Sequence, residues 1–446
     1  MNKSSGLLFS IWILASCVFN QTQAQSLLNL RGNPFYVNGI NIPWNNFGWD
    51  IGLHPSKGVG YDPFFFEEVF SNLEAKGVNT ARFWLHCDAR ATPEIDQNSF
   101  VTGLDAPFFD HLDDMIERAA NHKVKLIICL WSFELAEEFP DLIRDEARTQ
   151  SYIDQVLIPM VQRYADRCNI LAWEIMNEPE WTVKNLKRGH EGQVELEEIQ
   201  RFVAMQTAAI HEHCEHLVTL GSASLMWNAN LRENPEKDFL WSDQALQKAY
   251  NDPLAYLDFY QIHFFDWMKD WGKNYDPFLK GASWYHSDKP VLIGETPVVS
   301  EHYEPEEMLE RAWQNGYMGT MLWSYAARDG LGSWFGTDDA LGDFARNFPY
   351  PQFLADPCTY YEPDSESLVM RGNLLKSGEA ISIEANLMDE GPIRILIRDV
   401  QGRVILDRKS FLQAGKNVFQ LGTRVKGSGL YFLQINDGPI RKLLFY

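Results

Sequence analysis

The chain is poor in cysteine, in basic residues and in long apolar runs, and each shortage removes a class of protein. Six cysteines in 446 residues are too few to staple a small disulfide-built fold. Lys and Arg number 39 against 61 Asp and Glu, a formal net charge of −22. Nucleic acid is excluded as a partner on that balance, because binding there rests on cations that neutralise phosphates. Neutral ligands fit better, although acidity by itself also keeps an exported protein in solution. The one extended apolar run, Leu7 to Phe19, falls short of the ~20 residues that a bilayer-spanning helix needs, and no transmembrane segment is expected.

That run follows Lys3 and precedes Thr22-Gln23-Ala24, the three-part layout of a secretory signal peptide over residues 1–24. Leu14-Ala15-Ser16-Cys17 also resembles a bacterial lipoprotein cleavage box, which would leave Cys17 lipidated instead. Export, to the medium or the cell surface, is the expectation either way. Cleavage after Ala24 leaves five cysteines, of which Cys168 and Cys214 each precede a strand-like run. A bridge between these two, at the foot of neighbouring strands, is predicted.

What the chain has in quantity is apolar and aromatic surface. Hydrophobic residues make up 45% and aromatics 13%, too much for a disordered chain. Fifteen tryptophans imply either a large aromatic core or a platform for flat apolar ligands. Eight short β-branched and aromatic runs alternate with helical patterns: Phe35 to Ile42, Asn79 to His86, Lys125 to Trp131, Ile170 to Met176, Leu217 to Leu220, Asp258 to His263, Pro290 to Gly294 and Gly319 to Ser324. Repeated βα units predict an α/β fold, a (β/α)8 TIM barrel over residues 26–355, with a doubly wound open sheet as the runner-up. The helices between them are amphipathic, as in Phe109-Leu112-Met115-Ile116-Ala119. Residues 356–366 are polar and proline-punctuated and read as a linker. From 367 to 446 strict alternation, as in Ile393-Ile395-Ile397, predicts a small antiparallel β-sandwich.

In such a barrel, chemistry collects where strands end. The fourth run ends in Asn177-Glu178-Pro179 and the seventh in Gly294-Glu295, which places two carboxylates on one rim. Two opposed carboxylates are the minimum equipment for glycoside hydrolysis. An isolated Asn-Glu-Pro is only a turn start, and a lone strand-end Glu is commonly a surface charge. The pair on those two strands is what informs.

With these motifs the chain resembles the cellulase-type glycoside hydrolases, family 5 of clan A, from about Phe35 to Ser324. The resemblance implies that Glu178 is the general acid/base, with a raised pKa, beside an ionised nucleophile Glu295. It further implies that Asn177 bonds the sugar 2-hydroxyl, that Arg82 keeps Glu295 charged, that His263 stands near the acid/base and that Trp323 floors the subsite of the scissile sugar. At Phe265 the family pattern has tyrosine; the missing hydroxyl is either absent or supplied elsewhere, with Tyr325 as the candidate. Trp44, Trp131, Trp181, Trp227 and Trp267 are divided evenly between loop packing and substrate stacking. His211-Glu212-His213-Cys214-Glu215-His216 lacks the i, i+4 histidine pair of a helical metal site and reads as a solvated helix terminus. No metal and no cofactor are expected.

The turns Val78 to Trp84 and Ala172 to Pro179 are most similar to those of β-mannanases. The expected activity is therefore a secreted, retaining endo-β-1,4-hydrolase of a plant-type polysaccharide, β-mannan foremost. The alternatives are an endo-β-1,4-glucanase, a transglycosylase, or a carbohydrate-binding surface protein without catalysis. The C-terminal segment, through Asp399 to Val404, Ser428 to Phe432 and Arg441 to Leu444, resembles the sorting domains of type IX secretion, which implies secretion machinery as a partner; a sugar-binding or spacer sandwich is the alternative.

Overall fold

The computed structural model describes residues 27–30, 33–186, 191–229 and 239–348, together with strands between residues 367 and 445. The expected leader (1–24) and linker (356–366) lie outside the described residues. The eight runs form strands β1 (Val37–Ile42), β2 (Thr80–Cys87), β3 (Lys125–Ser132), β4 (Ile170–Asn177), β5 (Leu217–Ser222), β6 (Tyr260–His263), β7 (Val291–Pro297) and β8 (Gly319–Trp323). Each pairs in parallel with its neighbours in sequence, and β8 closes on β1 through Gly319↔Val37 and Leu322↔Ile40. Closure of all eight strands excludes the open doubly wound sheet. Glycine is required at that seam: a Cβ on Gly319 would stand 2.3 Å from Val37 Cβ.

The strands are largely apolar because both faces are covered; every residue of β2 and of β4 is buried, the charged Arg82 and Glu174 included. Helix α1 (Pro63–Ala75) opens with Asp62 accepting from the Phe64 and Phe65 N–H groups and with proline at its first position. Helix α2 (Phe108–Asn121) buries Phe108, Leu112, Met115, Ile116 and Ala119. Phe108, rather than Phe109, starts that stripe. Each such side chain contributes about 1.5–3 kcal/mol by leaving water. β1 begins two residues later than predicted because Asn33–Phe35 pairs with Leu28–Leu30 as a separate hairpin. Leu28 and Phe35 join Val37, Ile127, Leu171 and Leu292 in one apolar cluster.

Among the described residues no helix is long and apolar enough to cross a membrane. Cys214 is a free, buried thiol, so the predicted Cys168–Cys214 bridge does not form; Cys168 is disulfide-bonded, but not to Cys214. Beyond residue 366 the strands pair largely antiparallel. Ile381–Leu387 lies between Ser367–Met370 and Gly415–Leu421, and Gly391–Asp399 lies between Val404–Leu412 and Gly429–Ile435.

Candidate active site

The floor of the barrel mouth is built on one buried cation. Arg82, on β2 and fully buried, directs Nε and Nη2 to the two oxygens of Glu174 at 2.6 and 2.5 Å, Nη1 to Glu295 Oε1 at 2.5 Å, and Nη2 to Asn177 Oδ1 at 2.8 Å. Its guanidinium also lies 4.1 Å from the Trp84 ring centroid. Burial works against this charge, but the adjoining Glu174 carboxylate more than restores it. Glu174 in turn is pushed up by burial and pulled further down by Arg82, ending below its ordinary value. Gly221 makes room for the pair, since a Cβ there would stand 2.4 Å from Glu174 Oε1. Asn41 Oδ1 accepts from Arg82 Nη1 while its amide donates to the Gly294 carbonyl at 2.9 Å, locking β1 to β7.

Glu295 stands on β7 with its side chain 5% exposed. Burial pushes its carboxyl up to about 7, His263 and Arg82 oppose the rise, and the charge of Glu178 adds to it. Burial outweighs the help from Arg82, a cation that Glu295 shares with Glu174. This rise works against the ionised Glu295 that the sequence leads one to expect, and the like charge of Glu178 is among its causes.

Glu178 follows β4 in the left-handed conformation, φ 49° and ψ 50°. That geometry turns its carboxylate into the mouth, where it is 14% exposed. Trp181 Nε1 donates to Oε2 at 2.8 Å, and His263 Nδ1 lies 2.8 Å from Oε1. Burial holds the His263 imidazole down at about 4, which favours the neutral ring. Its buried Nε2 has no hydrogen-bond partner. One oxygen of Glu178, one of Glu295 and a ring nitrogen of His263 all lie within 4.8 Å of one another. These three groups could together ligate a cation.

Around the carboxylates is a cavity of about 210 Å³, lined by Trp44, Trp84, Glu134, Asn177, Phe265, Trp323 and Asp329 among others. Trp84 and Trp323 meet edge-on at 5.6 Å. Asp329 accepts from Trp323 Nε1 at 2.6 Å and sets the plane of the indole. Asn177, His263, Arg82 and Trp323 are thus all assembled around Glu178 and Glu295.

Tyr325 does not supply the missing hydroxyl, because its OH is bonded to Asn72 on α1 at 2.8 Å. Among the described residues no hydroxyl reaches Glu295; Phe265 contributes only an apolar wall. Trp131 is core, its Nε1 donating to Gln206 at 3.0 Å. Trp181, Trp227, Trp267 and Trp271 form one cluster next to Glu178. His211 is buried rather than solvated, bridging the Leu254 carbonyl and Asp258.

Four participants escaped the sequence reading. Glu174 carried a signal, as a charge amid an apolar strand must find an internal partner. Trp84, two residues after Arg82, faces the same way by strand alternation. Glu134 and Asp329 stand on loops, where no periodicity points to them.

Residues 32–329 match the cellulase family, glycosyl hydrolase family 5. The chain is 32% identical to a mannan endo-1,4-beta-mannosidase of Mytilus edulis over 325 residues, which cover 67% of this chain and 85% of that one. It is 27% identical to the Cryptopygus antarcticus enzyme of the same name over 352 residues, 73% and 90% of the two chains. The solved β-mannanase of the blue mussel superimposes with a TM-score of 0.64 at 27% identity, covering 74% of this chain and 98% of that one. An endo-1,4-β-mannanase of Eisenia fetida gives 0.64 at 28%, covering 72% and 95%.

Proposed function

Since the chain belongs to glycosyl hydrolase family 5 and is a glycosidase, we propose that it is a retaining endo-β-1,4-mannanase in which Glu295 attacks the anomeric carbon and Glu178 handles the proton. The observation that carries this reading is the facing pair of carboxylates, one oxygen of each within 4.8 Å. Retaining enzymes hold their two carboxyls about 5–5.5 Å apart, whereas inverting ones leave about 6.5–9.5 Å for a water molecule. The pair shares one proton in the productive state. It sits on Glu178, which gives it to the departing glycosidic oxygen as Glu295 bonds to the sugar; Glu178 then takes a proton from the water that releases the product.

Arg82 and His263 hold the two carboxylates in register, Asn177 offers its amide to the 2-hydroxyl, and Trp323 presents a flat face to the C–H groups of the sugar. The mannan preference rests on the Mytilus edulis and Cryptopygus antarcticus relatives. The test is reducing-sugar release from mannan, glucomannan, carboxymethylcellulose and xylan, with the anomer of the first product followed by NMR. Release from mannan as the β-anomer, lost in Glu178→Gln, supports the reading. Glucan-only activity changes the substrate, and no activity on any of the four leaves a binding protein.

The proposal extends to export: residues 1–24 as a cleaved leader, 26–355 as the catalytic barrel, 356–366 as a linker and 367–446 as a β-sandwich that engages type IX secretion machinery. The apolar run Leu7 to Phe19 and the antiparallel strands after residue 366 support it. Retention of the enzyme inside cells that lack residues 367–446, with release of the full chain, is the expected result.

A further inference from the structure

Glu180 is a buried carboxylate that the proposed reaction does not use. It has no exposure to solvent, and among the described residues no cation pairs with it. Three neutral donors from two other segments converge on it instead. Ser222 Oγ and Trp241 Nε1 donate to Oε1 at 2.5 and 2.7 Å, and the Ala223 N–H donates to Oε2 at 3.0 Å. Burying a carboxylate without a cation costs several kcal/mol even when its hydrogen bonds are made. Packing alone would be served better by an apolar or amide side chain of the same size.

What distinguishes a carboxylate here is that it accepts at both oxygens from several donors at once. A glutamine offers one oxygen, and its NH2 would confront a donor. The need for such an anchor lies two residues away. Glu178 stands in the left-handed region at φ 49°, which costs an L-residue about 1–2 kcal/mol and persists only where surrounding contacts over-determine it. The segment Pro179–Thr182 forms a tight turn directly after it. One end of the turn is tied by the Glu178 N–H to the Gly221 carbonyl at 2.6 Å. The middle is tied by Glu180 to the end of β5 and to Trp241, and from the same turn Trp181 donates to Glu178 Oε2.

Resting on the reading of Glu178 as the proton donor, we infer that Glu180 is a positioning residue that holds the Glu178–Trp181 turn so that the Glu178 carboxyl is aimed at the departing oxygen. Its removal misdirects proton delivery rather than abolishing it. A displacement of about 1 Å at a reacting group costs on the order of 10²-fold, and that loss falls only on leaving groups that need a proton.

The test compares kcat/KM for mannopentaose with that for a 2,4-dinitrophenyl β-mannobioside, whose leaving group departs unprotonated, in the full-length protein. Glu178→Ala, as the reference, loses on the order of 10²-fold or more on mannopentaose and far less on the aryl substrate. Glu180→Gln follows the same pattern in weaker form, roughly 10- to 100-fold on mannopentaose and within about 3-fold on the aryl substrate. Equal losses on both substrates, or none on either, overturn the positioning role while leaving Glu178 as the proton donor. If Glu178→Ala itself shows no dependence on the leaving group, that reading fails and the inference falls with it. Should Glu180→Gln lose its cooperative thermal transition, Trp241→Phe and Ser222→Ala each remove one donor. A leaving-group-dependent loss in them supports the role, and its absence overturns it.

Discussion

The ends of β4 and β7 each present a glutamate to one cavity, and nearly everything else about the two differs. Glu295 lies within its strand, its Cα paired with His263, 5% exposed and fixed by a cation that it shares with Glu174. Glu178 stands past the end of its strand in a left-handed turn, 14% exposed and fixed by hydrogen bonds with an indole and an imidazole. Identical side chains are sorted by surroundings. The carboxylate with no freedom suits bond formation at one carbon, whereas the one at the mouth can exchange its proton with a leaving group and then with water.

The sharpest break of this comparison is to delete each side in turn. Glu295→Ala should lose turnover on the order of 10⁴-fold or more, with no rescue by a better leaving group. Glu178→Ala should lose roughly 10²–10⁴-fold, and that loss should shrink for activated substrates. Equal, leaving-group-independent losses would mean the two carboxyls do not have separate roles.

Arg82→Met removes the cation that distinguishes the β7 end. It leaves Glu174 and Glu295 buried without a counter-charge, and about 3–5 kcal/mol of stability should go with it. Chemical denaturation at pH 7 measures this; a loss under about 1 kcal/mol would show that the cation is not what holds the floor together.

The comparison also has a pH signature. Glu295 is raised to about 7 by burial, with the charge of Glu178 contributing, and it must be ionised to attack. Turnover should fall as pH drops through about 7, because the nucleophile is then protonated. Glu178→Gln, which removes the like charge, should lower the pKa of Glu295, as read from its labelling by an epoxyalkyl glycoside against pH. An unmoved labelling profile would show that the carboxyls are uncoupled.

A smaller effect follows by linkage. A carboxyl whose folded pKa is raised favours the fold below its unfolded value of about 4.5 and loses that contribution as pH rises through about 7. Glu295→Gln should therefore stabilise the protein by ~1–3 kcal/mol at pH 8 and by little at pH 4. Equal melting shifts at both pH values would contradict it. The smallest change expected is from Phe265→Tyr, which offers a hydroxyl on the Glu295 side of the cavity. Turnover should move by less than about tenfold, the worth of one added hydrogen bond, with the acidic limb of the pH profile shifting if that hydroxyl reaches Glu295.

The eight strands were legible because period and composition are local properties, and a parallel barrel buries both faces of each strand. Only their ends moved: β1 lost Phe35 to a hairpin and β7 ran on to Pro297. The Cys168–Cys214 pairing misled because proximity to strand starts says nothing of which thiols meet. Tyr325 misled for a related reason, since adjacency to Trp323 in sequence does not tell which way a hydroxyl points, and it points to Asn72.

The sequence by itself determined the order of the βα units and set glutamates at the ends of the fourth and seventh strands, since both depend on residues near one another along the chain. Only the tertiary structure decided that Arg82 is divided between Glu174 and Glu295, that Glu178 stands in a left-handed turn anchored through Glu180, and that burial favours a neutral His263. Those outcomes hang on charge, burial and hydrogen bonds between groups 42 to 213 residues apart. Closure of the barrel is what brings such groups together and shuts out the water that would otherwise make their environments alike.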